Sequence, residues 1–148
     1  MAAVVSVMPL LSDDEGICRI LEEARTICVV GISPDPSRPS HFVSSALMDL
    51  GFRVYLVNPV YAGQTILGQR VYSSVRDIPD EIDIIDVFRR PSSVPELAEE
   101  AERKGFRTFW MQPGTENMDV ARRLLQEGYN VVLGRCTRTE SMRLSAHR

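Results

Sequence analysis

The sequence predicts an α/β fold: a doubly wound, mostly parallel sheet of five to six strands with helices on both faces. Three observations predict it. Short β-branched apolar runs such as "TICVV" and "IDIIDV" lack the regular polar alternation of a half-solvated strand, as strands covered on both faces do. Stretches of helical apolar period follow them, and the change of period is marked each time by Gly, Pro or a capping residue. The alternation runs along the chain without an internal repeat, low-complexity segment or interdomain linker, and such an order builds right-handed βαβ units.

Taken in order, "MAAVVSVMPLL" is apolar but has no basic residue or cleavage site, and is far shorter than the ~20 residues of a membrane span. It is expected to be a lead-in. "SDDEGICRILEEAR" opens on a capping box, Ser12 to Glu15, and continues with Ile17, Ile20 and Leu21 at helical spacing. Thr26 to Gly31 is the first strand. "HFVSSALMDLG" returns to helical period through Phe42, Val43, Ala46, Leu47 and Leu50, with Ser40 expected as N-cap and Gly51 as the stop.

Arg53 to Pro59 is the second strand and Ile82 to Phe88 a later buried one. The turn-rich stretch between them has room for a short strand at Arg70 to Tyr72 and a helical turn at Ser74 to Ile78. "SSVPELAEEAERKG" carries a second capping box, Ser93 to Glu96, and ends at Gly105. Arg107 to Met111 as strand, "NMDVARRLLQEG" as helix and "NVVLG" as the last strand complete the alternation. The expected organisation is a lead-in and first helix over residues 1–23, one Rossmann-like domain over 24–140 and a C-terminal tail over 141–148.

A chain of 148 residues with 44% hydrophobic and 25% charged residues is sized and composed for one globular domain. Its formal charge of -3 gives no footprint for nucleic acid, while a small anion needs only a local positive site. Cys18, Cys28 and Cys136 are scattered, without a C-x-x-C pair, so neither a disulfide framework nor a zinc site is suggested. The expectation is a cytoplasmic protein in a reducing compartment.

In doubly wound sheets the ligand sits beyond the carboxyl ends of the strands, where strand order reverses. After the first strand come Gly31, Ile32 and Ser33, then a Pro-rich loop to Ser40. A helix start offers unpaired N–H groups, Ser33, Ser37 and Ser40 add hydroxyls, and Arg38 adds a charge-assisted contact. The loop has one glycine where a dinucleotide fingerprint has three. No acid follows the second strand, which ends in Val57, Asn58 and Pro59, and both absences argue against NAD. Asn58 suits a ribose or adenine edge as well as it suits a turn cap.

The later buried strand ends in Phe88, Arg89, Arg90 and Pro91, where two guanidinium groups repel unless an anion joins them. "FWMQPG" brings Gln112 and Gly114 to the next carboxyl end, with Trp110 and Met111 reading as core. "GRCTRTE" reads as a polar terminal turn, and cations beside Cys136 would lower its thiol pKa. His41 and His147 have no evident triad partners, and no catalytic constellation is visible.

The stretches "VVGISPDPSRPSHFV", "GFRVYLVNPVYAGQTILGQRVYSSVRDIP", "IDIIDVFRRPSSVPEL", "FWMQPGTEN" and "GYNVVLGRCTRTE" together resemble the stand-alone CoA-binding domain proteins. These are similar to the CoA-binding domain of the succinyl-CoA synthetase α subunit. The resemblance runs from about Ala24 to Glu140 and implies coenzyme A or an acyl-CoA as ligand. It implies that Gly31, Ile32, Ser33, Arg38 and Ser40 hold the phosphates. Val57, Asn58 and Pro59 would border the adenosine, with Phe88, Arg89 and Arg90 in the same crevice. Trp110, Met111, Gln112 and Gly114 would follow the pantetheine arm. The synthetase's second domain with its phosphorylated histidine has no counterpart here, so ligase activity is not carried over.

Three functional classes follow. The first is a CoA-binding module without catalysis of its own. The second is an enzyme: a subunit of an acyl-CoA ligase or transferase, or an NAD(P)-binding oxidoreductase. The third is an interaction domain with an empty pocket, since fold alone never establishes a ligand. A homo-oligomer or an unknown protein partner is left open.

Overall fold

The computed structural model describes residues 13–146. Five α-helices, α1 (Asp14–Glu23), α2 (Pro39–Asp49), α3 (Val94–Lys104), α4 (Met118–Gln126) and α5 (Thr137–Ala146), alternate with seven strands. The strands are β1 (Thr26–Val30), β2 (Arg53–Val57), β3 (Thr65–Ile66), β4 (Gln69–Tyr72), β5 (Ile84–Val87), β6 (Thr108–Met111) and β7 (Asn130–Leu133). They form one sheet in the order β3-β4-β2-β1-β5-β6-β7. Every neighbouring pair is parallel except β3 with β4.

This is the α/β doubly wound sheet that the sequence predicts, with seven strands where five to six were expected. The additional one is β3, two residues folded back on β4 through Leu67 (φ 52°) and Gly68 (φ 73°), a tight hairpin turn. Two residues are too few for any period to show.

The side chains of β1 alternate between two buried layers, which is why the strand reads as apolar throughout. Cys28 and Val30 face α3 and α4, packing with Ile85, Val87, Phe109, Leu97, Ala98 and Leu124. Ile27 and Val29 face the opposite side with Ile84, Trp110, Ile17, Leu21, Val43 and Leu47, from the sheet, α1 and α2. Helix α5 packs against α1 and α2 on that second side.

Four local expectations change. Helix α1 is capped by Asp13, whose carboxylate accepts from the Gly16 N–H at 2.7 Å; Ser12, the start of the expected capping box, lies outside the described residues. Helix α2 begins one residue before Ser40, because Pro39 has the φ and missing N–H that suit a first helical position. The capping box Ser93 to Glu96 does not form. A 3-10 turn, Pro91–Ser93, runs straight into α3, so Ser93 has helical φ and ψ and makes no side-chain cap. The tail expected over 141–148 is, through Ala146, part of α5.

The chain lays down β1, β2 and β4 to one side and then crosses to β5 on the other side of β1. Strand order therefore reverses between β1 and β5. The two strands stay paired to their carboxyl ends, Val30 with Val87, and the segments after β1, β5 and β6 leave from the same edge.

Candidate functional site

The segment after β1 is built largely from its own hydrogen bonds. Gly31 has φ +103°, and its N–H donates to the Val57 carbonyl at 2.8 Å. A Cβ on it would stand 2.3 Å from the Phe88 carbonyl oxygen, so only glycine lets the end of β1 pass against the end of β5. The Ile32 N–H also reaches the Val57 carbonyl, at 3.4 Å, and the Ser33 N–H donates to Ser40 Oγ at 3.0 Å. Asn58 uses both ends of its amide. Its Nδ2 donates to the Ile32 carbonyl at 2.9 Å, and its Oδ1 accepts from the Val60 N–H at 3.0 Å, capping the turn Pro59–Tyr61.

Farther along the loop, Asp35 accepts from the N–H and hydroxyl of Ser37 at 2.9 and 2.8 Å. These bonds, and less so the charges of Arg38 and His41, hold its carboxyl below the usual carboxylate range. The Asp35 N–H in turn donates to Ser33 Oγ at 3.1 Å. Ser33 and Ser40 therefore each accept a backbone N–H while keeping their own hydroxyl proton available. Helix α2 starts with Arg38 as N-cap and no side-chain cap; Pro39 has no N–H and the N–H groups of Arg38, His41 and Phe42 have backbone acceptors, which leaves the Ser40 N–H as the donor its first turn can offer an anion.

Ser33, Arg38 and Ser40 face a cavity of about 670 Å³ at the carboxyl edge of the sheet, between the ends of β1, β2, β5 and β6 and the starts of α2 and α5. That volume is ordinary for a cofactor-sized ligand. Arg38, Arg89 and Arg90 line it, and among the described residues none of the three forms a salt bridge with a carboxylate. Ile32, Phe42, Tyr61 and Pro113 give the wall an apolar part. The cavity thus pairs positive charge engaged in no described salt bridge with apolar surface, a combination that suits an organic phosphate.

The β6 end of the cavity is held by a buried triangle. Gln112 Nε2 donates to Asp86 Oδ1 at 2.5 Å and to Thr137 Oγ1 at 2.8 Å, while the Thr137 hydroxyl donates to Asp86 Oδ2 at 2.8 Å. Asp86 is fully buried in the middle of β5, and burial pushes its carboxyl up to about 7 despite the two hydrogen bonds that favour its charged form. The Gln112 carbonyl is used by Thr115, whose N–H and hydroxyl donate to it at 3.0 and 2.8 Å. The Gly114 N–H donates to Glu116 Oε1 at 2.8 Å.

Of the sequence-predicted residues, Gly31, Ile32, Ser33, Arg38 and Ser40 come together with Asn58 on the cavity wall. Phe88, Arg89, Arg90, Gln112 and Gly114 complete that group. Val57, Pro59 and Met111 do not reach the wall. Val57 is buried beneath the Gly31 turn, Pro59 leads an exposed turn, and Met111 packs in the layer under α3 and α4. Trp110 is core, its indole N–H donating to the Arg135 carbonyl at 2.7 Å.

Phe42, Tyr61, Thr115 and Cys136 also line the cavity. Cys136 is not in a terminal turn; it directly precedes α5, whose start brings it to the wall. Sequence reasoning also passed over Asp86 and Thr137. For Asp86 a signal existed: it is an acid inside an otherwise apolar strand, at the alternation phase of Ile84. His41 sits beside the loop with Nδ1 3.0 Å from the Ser33 carbonyl, which can only accept, so Nδ1 carries the proton. Among the described residues no cluster of His, Cys, Asp and Glu could hold a metal ion, and no helix is long and apolar enough to cross a membrane.

Residues 25–142 match the family described as a CoA binding domain. An uncharacterized protein of Bacillus subtilis, YneT, is 38% identical over 120 residues, covering 81% of this chain and 87% of that protein. The ADP-forming acetate–CoA ligase I of Archaeoglobus fulgidus is 30% identical over 117 residues, 74% of this chain but 17% of the ligase. The chain therefore spans a small part of the ligases it matches. Among solved structures, a hypothetical protein from Pyrococcus horikoshii superposes with a TM-score of 0.85 at 38% identity, covering 90% of this chain and 92% of that one. A Thermus thermophilus protein superposes with a TM-score of 0.85 at 35% identity, over 89% and 98%.

Proposed function

The chain belongs to the CoA-binding domain family, and we propose that it binds coenzyme A or an acyl-CoA in the cavity at the carboxyl edge of the sheet, without catalysis of its own. The observation that carries this reading is the set of three guanidinium groups, Arg38, Arg89 and Arg90, lining one cavity without a salt bridge to any described carboxylate. Like charges gathered around a hollow repel one another, and a diphosphate relieves that repulsion.

In this reading the phosphates lie between Arg38 at the start of α2 and the arginines after β5. The Ser40 N–H at the start of α2 and the free hydroxyl protons of Ser33 and Ser40 complete their coordination. The amides of Gly31, Ile32 and Ser33 shape the cradle rather than donate to it, because each already has a protein acceptor. Three cysteines scattered along the chain, without a C-x-x-C pair, are consistent with a cytoplasmic setting.

Isothermal calorimetry with coenzyme A, dephospho-CoA and NAD tests the proposal. Coenzyme A is expected to bind with a Kd below about 1 mM and more tightly than NAD, the range ordinary for small ligands of this size. Replacing Arg38→Ala is expected to weaken coenzyme A by about 1.5–3 kcal/mol, the worth of a hydrogen bond to a charged group. Absence of coenzyme A binding, or tighter binding of NAD, overturns the reading.

A second reading is that this protein works as one component of an acyl-CoA ligase, with catalysis supplied by a separate chain. The matched ligases motivate it. Affinity purification that yields a stoichiometric second protein, with acyl-CoA formed only by the pair, would favour it over the binding module.

A further inference from the structure

The Asp86 triangle has a consequence for which chemical groups the cavity accepts. Above its raised pKa of about 7 Asp86 is an ionised carboxylate, which can only accept hydrogen bonds, so it then requires donors from both Gln112 and Thr137. Thr137 satisfies Oδ2 with its single hydroxyl proton, at 2.8 Å. Its oxygen is then left as an acceptor, and Gln112 Nε2 uses its second proton there, at 2.8 Å, after giving its first to Asp86 Oδ1. The closed set of bonds fixes the amide: both N–H groups point into the protein and Oε1 is turned away from the triangle. Gln112 lines the cavity, and Oε1 is not among the buried side-chain atoms that lack a partner. Gln112 is 3% exposed, so Oε1 offers the cavity a narrow edge at most.

We propose that Gln112 is a specificity-determining residue, with Asp86 and Thr137 as its positioning residues, and that it presents a carbonyl acceptor that admits a ligand N–H or O–H and turns away phosphate. The inference deepens the coenzyme A reading and rests on it for the ligand's identity. The cavity is then polarised. Cations at the β1 and β5 ends hold the anionic part, and an acceptor backed by a buried carboxylate faces the β6 end. Coenzyme A fits that polarity with its diphosphate toward Arg38 and Arg89, and the donor assigned to Gln112 is an amide or hydroxyl of its neutral arm rather than the adenine NH2.

The other titratable groups near the triangle leave this assignment unchanged. Cys28, on the adjacent strand β1, is buried and its thiol is pushed far above its ordinary range, so it remains neutral. Glu140, one turn along α5 from Thr137, is paired with Arg135 and Arg143 at 3.3 and 3.2 Å.

Two measurements test the proposal. In the ligand-free wild-type protein at pH 8, the side-chain NH2 of Gln112 is expected to give two dispersed, slowly exchanging proton resonances, assigned by their loss in Gln112→Met. Fast solvent exchange like that of a surface glutamine means the NH2 faces the cavity and overturns the proposal. Calorimetry then compares coenzyme A with 3′-phosphoadenosine 5′-diphosphate, which has the phosphates but no arm. Gln112→Met is expected to weaken coenzyme A about tenfold, the order of one hydrogen bond, and to leave the diphosphate unchanged.

Equal weakening of both ligands, or none, refutes the role of Gln112. If wild-type protein binds neither ligand, the coenzyme A reading fails and the arm assignment with it. The exchange measurement still decides whether an acceptor faces the cavity.

Discussion

Replacing Gly31→Ala separates a glycine kept for the fold from one kept for a ligand. The new Cβ would stand 2.3 Å from the Phe88 carbonyl oxygen and 2.9 Å from its carbon, about an ångström inside ordinary contact. Both are backbone atoms, so no side-chain rotation relieves the clash. The positive φ of 103° adds strain of about 1–3 kcal/mol for a residue with a Cβ. Relief requires β1 and β5 to part at their carboxyl ends. That strains the bonds from the Phe88 N–H to the Val30 carbonyl and from the Gly31 N–H to the Val57 carbonyl, each worth about 0.5–1.5 kcal/mol.

The total is about 2–6 kcal/mol, a large share of the ~5–15 kcal/mol that holds a domain folded. For a chain of this size it corresponds to a Tm lowered by roughly 5–20 °C. The assay is urea unfolding and thermal denaturation of the ligand-free protein. A Gly31→Ala variant within about 1 kcal/mol of wild type refutes the argument and leaves Gly31 as a ligand-approach residue only.

Two further outcomes follow from the same geometry. The folded-state pKa of Asp86 is raised to about 7 from an ordinary value of 3.8, so between those pH values the folded protein holds a proton that the unfolded chain releases. Stability from this group is full below about pH 4 and falls as pH rises through 7, by about 4 kcal/mol in all. The stability difference between wild type and Asp86→Asn, from urea titrations at pH 4 to 8.5, is expected to shift by that order; parallel curves overturn it. Asn58→Ala removes the bonds to the Ile32 carbonyl and the Val60 N–H and is expected to destabilise the ligand-free protein by about 1–3 kcal/mol. Unchanged stability with weakened coenzyme A binding would return Asn58 to the role of a direct ligand contact.

The fold was legible because its signals are local. Buried strands need β-branched apolar runs, helices need their period, and Gly51, Gly105 and Pro59 punctuate them within a few residues. What was misread locally had a competing local cause: Pro39 set the start of α2 ahead of Ser40, and the 3-10 turn at Pro91–Ser93 pre-empted the capping box. The hairpin strand Thr65–Ile66 is too short for a period. The last helix was missed because "TRTESMRLSA" carries little amphipathic pattern, and it is settled in place by packing against α1 and α2.

The site divides the same way. Arginines and hydroxyls at strand ends can be counted in a sequence, since a parallel sheet sends all of its carboxyl ends to one edge. The sequence by itself therefore determined the edge and its positive charge. Only the tertiary structure decided what each group is free to do. Gly31 meets Phe88 across 57 residues of chain, Thr137 meets Asp86 across 51, and both amide ends of Asn58 are already engaged. Hydrogen-bond supply is a property of the assembled neighbours: a donor counted along the chain becomes a ligand group only if no nearer acceptor claims it.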